Sequence, residues 1–386
     1  MRPPSRGWLL SLPALALVGF ALLLPLGLML VTAVRDPEMA TALPRSAALL
    51  RGWDGTGLPD EGVFAALSAE LPIAADGQFI GGVAGRLNFE RAGMRNLLLR
   101  TARARPAAPF SMALPAIDAQ WADPAVWHLL RRASLGVTPL YLLRSLDFDV
   151  AADGRVQALP SDQSVFLALF GRSFAIAITV TVLCLLIGYP VARAIAGMTR
   201  RWSQMALALV LIPFWISILV RTTAWFIVLQ RDGPANGLLQ WIGLTDTPMQ
   251  LMFTRFAVLL AMVHVLLPFV ILPLVVVMRR IDPALLRAAA SLGAPRWRRF
   301  VSIYLPLTLP GIGAGALIVF MLATGFYITP ALLGGPGDQM VSASIADYVN
   351  VTLNWGMAAA ISLWLLLGTG ILVGATALIV PMRRWR

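Results

Sequence analysis

Arg221 is the residue whose setting most needs a chemical explanation. It lies inside the apolar run Met205–Phe226, with Ser217 and Trp225 four residues to either side. On a helix that spacing places all three on one face. Arg221 stands about 16 residues along the run, roughly 24 Å from its start on a continuous helix. An ionisable group at that depth is expensive unless it is paired or used. Two readings stay open: a path or gate residue, or an arginine snorkelling to the outer interface beside Thr222 and Thr223. A carboxylate or phosphonate substrate could meet Arg221 directly. A cationic one would be repelled, leaving Arg221 to anchor a gate or pair with an acid. Trp215, Trp225, Phe326 and Tyr327 offer ring faces to a passing cation, with interfacial packing as the alternative.

Composition removes other chemistry. All 31 basic residues are arginine, which excludes Schiff-base chemistry and the lysine of a kinase or P-loop. His128 and His264 are the only histidines and Cys184 the only cysteine, so neither a metal cluster nor an intrachain disulfide is expected. His264 and Cys184 read as packed residues within spans. The spans hold no pair of carboxylates, which disfavours a buried-acid proton relay. No nucleophile–base set is visible. The chain reads as non-catalytic, with no cofactor and no metal.

The elements that position these residues are membrane spans. Of 386 residues, 58% are hydrophobic and 13% charged, and the mean hydropathy is +0.77. Soluble, disordered and collagen-like classes are excluded. Six apolar runs are long enough to cross a bilayer: Trp8–Ala33, Ser173–Met198, Met205–Phe226, Phe253–Met278, Leu305–Pro330 and Met357–Val380. The first exceeds the apolar core of a signal peptide and reads as a retained helix.

With the N-terminus inside, one side carries Arg2, Arg6, Arg193, Arg200, Arg201, Arg279, Arg280, Arg287, Arg296, Arg298, Arg299, Arg383, Arg384 and Arg386 against Asp282 alone. The net charge of +12 therefore sits on the side the positive-inside rule makes cytoplasmic, and both termini fall there. The high isoelectric point reflects topology, and nucleic acid is not an expected partner.

The domain reading follows: 1–34 with the first span, 35–165 as an external insertion, and 166–386 as the core with five spans. Within the insertion, Asp60–Leu71, Arg91–Arg103 and Asp123–Ser134 read as helices, the last opened by an Asp123 cap and Pro124. Asp153-Gly154 reads as a hairpin turn within Asp147–Leu159. The insertion is either a structural cap or a docking surface. Phe166–Phe170 reads as an interfacial segment and Val341–Val351 as a short amphipathic helix. Gly188-Tyr189-Pro190 reads as a kink. Gly311-x-x-x-Gly315 and Gly370-x-x-x-Gly374 read as close helix contacts.

The connection 281–306 is the most informative stretch. Asp282 is a good cap, Pro283 suits the first helical position, and Gly293 suits a left-handed terminus. Leu285, Leu286, Ala289 and Leu292 recur at helical spacing. The expected helix is about 10 residues, roughly 15 Å long, with a second helix following to Pro306. The surrounding arginines leave two readings open, a docking device for a soluble partner or a loop held by anionic lipid.

Arg287-Ala288-Ala289, three residues, Gly293, nine residues, then Ile303-Tyr304-Leu305-Pro306 resembles the EAA loop of ABC importer permeases. Ala288, Ala289, Gly293, Ile303, Leu305 and Pro306 match at the family spacing, and Arg287 stands where the family usually has Glu. Leu211-Ile212-Pro213-Phe214-Trp215 with Arg221, Asp246-Thr247-Pro248, Leu266-Leu267-Pro268-Phe269 and Pro306-Leu307-Thr308-Leu309-Pro310-Gly311 look like the spermidine/putrescine branch. The similarity covers the first span loosely and Phe166–Pro381 well, but not the external segment. It implies an all-α integral membrane fold of six transmembrane helices, the type I importer permease, with a largely helical insertion between the first and second. It implies a bacterial inner-membrane subunit providing half of a path for a polyamine or a related zwitterion or opine. The implied partners are an ABC ATPase dimer that hydrolyses the ATP, a second permease, a periplasmic substrate-binding protein and the lipid bilayer. The coupling residues it implies are Asp282, Leu285, Leu286, Arg287, Ala288, Ala289, Leu292 and Gly293. The alternatives are a membrane receptor with an extracytoplasmic sensor and an ATP-independent transporter.

Overall fold

In hydrocarbon every backbone N–H and C=O must be satisfied internally, so the apolar runs are expected as helices. The computed structural model of the protein describes residues 7–151 and 154–379. Arg2, Arg6, Asp153, Arg383, Arg384 and Arg386 lie outside the described residues. Among the described residues, five helices are long and apolar enough to cross a membrane, or up to seven spans if each of two bent helix pairs is taken as one. The chain divides into two compact units, Met1–Val165 with Asp347–Leu363, and Phe166–Ala346 with Trp364–Arg386.

The first unit opens on the helix Gly7–Val34. A set of shorter helices follows, among them Pro44–Gly52, Glu61–Asp76, Ile80–Glu90, Met94–Ala104 and Pro124–Ser134. Glu61–Asp76, Met94–Ala104 and Pro124–Ser134 are the three the sequence leads one to expect, with ends shifted by a few residues. Pro44–Gly52 was not anticipated, because its cap is not local. The first-turn amides of Arg45 and Ser46 donate to the Glu70 carboxylate at 2.7 and 2.8 Å, a partner 24 to 25 residues further on.

The core of this unit is aliphatic and aromatic. Phe64, Leu67, Leu98, Trp121 and Trp127 are buried. Both indoles are satisfied: Trp121 donates to the Thr101 hydroxyl and Trp127 to the Trp121 carbonyl, each at 2.9 Å. As the sequence suggests, the Asp123 carboxylate accepts from Ala125 N at 2.9 Å ahead of Pro124. A buried ionic chain runs beside this core. Arg86 pairs with Asp36 at 2.6 Å and Glu90 at 3.1 Å, and Glu90 also takes Arg132. Burial pushes the Asp36 carboxyl above its usual range even with Arg86 beside it. Thr138 N donates to Val34 O at 2.7 Å and Asp36 N to Gly136 O at 3.0 Å, which ties the end of the first helix to this core. The hairpin pairs Phe148–Val150 with Val156–Ala158.

The second unit is organised around Arg255–Arg279, which packs against Phe166–Gly197 and Leu305–Thr324. Small residues set the approach. A Cβ on Gly315 would meet the Val270 Cα at 3.2 Å, and one on Gly311 would meet the Val277 side chain at 3.1 Å. The Gly311/Gly315 contact is therefore made within the chain. Cys184 is buried in this interface. Two connections of this unit are tied by polar side chains. Buried Asn236 donates to the carbonyls of Gln230 and Met249 and accepts from Met249 N. Asp338 pairs with Arg255 at 2.9 Å, and Val341 N donates to the Ser173 hydroxyl at 2.8 Å. Val341–Asn350 is a helix, as expected.

Two expectations are corrected. Phe166–Phe170 is no separate interfacial segment but the opening of the unbroken helix Phe166–Gly197, in which Pro190 is internal and a Cβ on Gly188 would meet Val270 at 3.0 Å. The expected third span is not one helix. Arg200–Leu211 gives way to a 3₁₀ turn, Ile212–Trp215, and then to Ile218–Leu229, with a 93° bend. Pro213 lacks a backbone N–H and its ring blocks the preceding turn, and Ile216 is extended at φ −90°, ψ 133°.

The packing gives a paired prediction. Gly315→Ala should overpack against the Val270 backbone and lower stability by about 1–3 kcal/mol. Gly370→Ala, with nothing within 4 Å of the new Cβ, should leave it unchanged or slightly raised. The thermal unfolding midpoints of the two variants in one lipid nanodisc preparation measure the difference.

Candidate functional site

Two sites in the second unit gather the candidate residues. The first is the connection 281–306. Asp282 Oδ1 accepts from Ala284 N at 2.8 Å, Pro283 occupies the first turn, and the helix runs Pro283–Ser291. Gly293 has φ +79°. Its N–H donates to Ala290 O and that of Ala294 to Ala289 O, both at 3.0 Å. These two bonds make a Schellman terminus, which satisfies the last carbonyls and requires a left-handed residue at Gly293.

No residue of this helix is buried. Leu286 and Ala289 are half-buried, while Arg287 and Ala288 are exposed. Leu285 and Leu292 are 49% and 89% exposed. The stripe that reads as one apolar face is thus split: Leu286 and Ala289 lean on the chain, and Leu285 and Leu292 stand free. The following helix does not stop before Pro306. Arg296–Arg299 enters a π-helical turn, Phe300–Tyr304, and continues as Leu305–Thr324. The wider turn makes room where a proline ring would otherwise collide with the carbonyl four residues back.

The second site surrounds Arg221. The bend places Arg221 in the first turn after Ser217, whose carbonyl accepts its N–H at 3.1 Å. The depth counted along a continuous helix therefore does not apply. Arg221 Nε is buried without a hydrogen-bond partner among the described residues. One turn on, Trp225 Nε1 donates to His264 Nδ1 at 3.1 Å. Indole is a donor only, so His264 accepts there and carries its neutral-ring proton on Nε2. Thr222 and Thr329 share a hydroxyl contact at 3.2 Å, joining this helix to Ile328–Leu333.

Ser217, Arg221 and Trp225 thus share one helix, with Ser217 exposed at its start. Trp215 lies on the turn before the break and is 87% exposed. Leu305–Thr324 ends at Gly325, short of the expected Pro330, and Phe326 and Tyr327 occupy the break that follows. Phe326 is half-buried with its carbonyl accepting from Ser342 at 2.6 Å, and Tyr327 is 42% exposed. His264 and Thr329 were not singled out as site residues. His264 stands 39 residues from Trp225, so nothing local announces the pair.

With this geometry in place, comparison with known proteins gives a class. Residues 185–385 match the family of binding-protein-dependent transport system inner membrane components, and the chain belongs to that family. It is a multi-pass inner-membrane permease subunit of an ABC importer, a non-catalytic chain whose ATPase is separate. Family membership implies an ATPase, a second permease and a substrate-binding protein as partners.

Among particular relatives, the chain is 36% identical over 203 residues to the spermidine/putrescine transport system permease protein PotB of Escherichia coli (strain K12), covering 52% of this chain and 74% of that one. It is 32% identical over 220 residues to the inner membrane ABC transporter permease protein YdcU of the same organism, covering 53% and 67%. A solved chain of a bacterial alginate ABC transporter in complex with alginate pentasaccharide-bound periplasmic protein shares 22% identity, with TM-score 0.47, over 56% of this chain and 78% of that one.

Proposed function

We propose that this subunit forms half of the path by which an importer takes up a small organic amine, a polyamine such as putrescine or spermidine or a related zwitterion or opine. The likeness to PotB supports that substrate class. In this reading 1–34 carries the first span, 35–165 is a periplasmic insertion, 166–386 is the permease core, and both termini are cytoplasmic. An ABC ATPase dimer, a second permease and a periplasmic substrate-binding protein complete the machine.

One observation carries the mechanism. A helix capped at both ends, Pro283–Ser291, leaves Leu285 49% and Leu292 89% exposed among the described residues. Their exposure on a short helix between two spans supports a docking role. Asp282, Leu285, Leu286, Arg287, Ala288, Ala289, Leu292 and Gly293 form the coupling element, seated in a groove of the ATPase. Closure of the ATPase pair on ATP then rocks the two permeases between inward and outward openings. The six residues Trp215, Ser217, Arg221, Trp225, Phe326 and Tyr327 line the path or its gate. Toward a cationic substrate Arg221 is an anchor of the gate.

Gly293 provides the test. Gly293→Asp keeps a residue that can enter the left-handed region but adds a charge beside the docking face. ATP-driven uptake of labelled putrescine or spermidine by the reconstituted importer should fall more than about tenfold, the effect of 1.4 kcal/mol. The chain should still insert in normal amounts. Gly293→Asn, which tolerates the left-handed region, should keep most activity. Unchanged uptake in Gly293→Asp would overturn the coupling role.

Arg221→Gln tests the gate. ATP hydrolysis without substrate should rise about fivefold or more, the low end of a 1–3 kcal/mol coupling free energy, while uptake falls. An unaltered ratio of ATP hydrolysed to substrate moved would remove Arg221 from the gate.

A further inference from the structure

Behind the coupling helix lies a cavity of about 190 Å³ lined by Arg193, Leu286, Arg296, Arg299, Phe300 and Tyr304. Three of these six residues are cations and none is an acid. Arg193 comes from the end of Phe166–Gly197, and its guanidinium carbon lies 4.9 Å from the ring centroids of both Phe300 and Tyr304. Those rings are stacked on each other, 6.1 Å apart at 26°. Cation–π contact with both rings holds the Arg193 side chain in place.

Arg299 has its Nε buried with no hydrogen-bond partner among the described residues. No ion pair among the described residues engages Arg193, Arg296 or Arg299. The one acid of the connection, Asp282, is spent on the helix cap. A buried guanidinium N–H left unpaired is costly, and three cations around one cavity repel one another. Both costs vanish when an anion with several acceptor oxygens enters. The planar guanidinium fork suits phosphate oxygens, two at a time.

We propose that this cavity binds a phosphate group, carried by an anionic lipid headgroup or free in solution. Arginines at a membrane interface attract anionic headgroups in any case, at about 1 kcal/mol each. What sets this site apart is the aromatic support under Arg193 and the unpaired Arg299 Nε. Because Leu286 forms one wall, a bound phosphate braces the base of Pro283–Ser291. That consequence rests on the coupling reading, whereas phosphate binding does not.

The test uses the full chain in nanodiscs of phosphatidylcholine with a minor share of phosphatidylglycerol, read by native mass spectrometry of retained lipid. The wild-type chain should retain phosphatidylglycerol selectively. Arg193→Gln/Arg299→Gln should retain it more than about thirtyfold less, beyond the roughly 2 kcal/mol that two interfacial arginines give by diffuse attraction. Arg200→Gln/Arg201→Gln, which removes two exposed arginines elsewhere, should lose no more than that diffuse share. Arg296→Gln, at an exposed rim position, should give a partial loss in a folded protein, so the proposal stays testable if the double variant misfolds. Inorganic phosphate is then titrated: displacement of the lipid assigns a site open to free phosphate, and retention against it assigns the headgroup. Equal retention by wild type, Arg296→Gln and Arg193→Gln/Arg299→Gln would overturn the site. Equal loss in both double variants would overturn it too, since it would show only diffuse surface charge. Because no ATPase is present, failure here leaves the coupling reading standing, and failure of coupling leaves this site standing.

Discussion

Three helices of the second unit can meet only because side chains are missing where their backbones approach. Gly315 lies against the Val270 backbone, Gly311 against Val277 and the Leu274 Cα, and Gly188 against Val270 and Ile271. In a bilayer, apolar burial does not drive helices together, so dispersion contacts at short range must do so, and they need this closeness. The same contacts bury Cys184, Val270 and Ile271. The ends of these helices then define where the chain can break. Hydroxyls cross-link the packed frame: Tyr189 meets Thr308 at 3.1 Å, and Ser173 takes the amide of Val341.

The candidate function lies at those breaks. Ile212–Ser217 interrupts what would be a continuous span and delivers Arg221 and Trp225 at the start of a new helix. Gly325–Tyr327 interrupts another, and Thr329 just beyond it reaches Thr222. Non-helical backbone at membrane depth is tolerated where it is covered by protein or lines a polar cavity. The π turn Phe300–Tyr304 lets the arginine-rich connection pass into the next helix across Pro306. It also stacks Phe300 and Tyr304 beneath Arg193.

Legibility followed the range of the interactions. The helix Pro283–Ser291 could be placed because its signals are local: an acceptor at Asp282, a fixed φ at Pro283, and a residue free to be left-handed at Gly293. The same held for Pro124–Ser134 behind Asp123. The bend before Arg221 was hidden because hydropathy runs on unchanged through Pro213, and a single proline within an apolar run is compatible with a continuous span. Trp225 with His264, Thr222 with Thr329, and Glu70 with the amides of Arg45 and Ser46 join residues far apart in sequence. Periodicity carries no information about such pairs. The split of the apolar stripe, with Leu286 half-buried beside the cavity it lines with Phe300 and Tyr304 and Leu285 49% exposed, lies beyond what local periodicity encodes.

The central claim is that Pro283–Ser291 seats directly in an ATPase. Cys184 is the only cysteine of the sequence and is buried, so the thiol introduced by Leu292→Cys, at a position 89% exposed, is the one accessible thiol. The most direct measurement is cross-linking of the Leu292→Cys chain in native membranes with a short bifunctional thiol–amine reagent, followed by identification of the attached protein. The account predicts an adduct with a nucleotide-binding ATPase chain whose yield changes when ATP is added. A Leu292→Cys chain that labels fully with a small maleimide yet yields no ATPase adduct, with or without ATP, would contradict it.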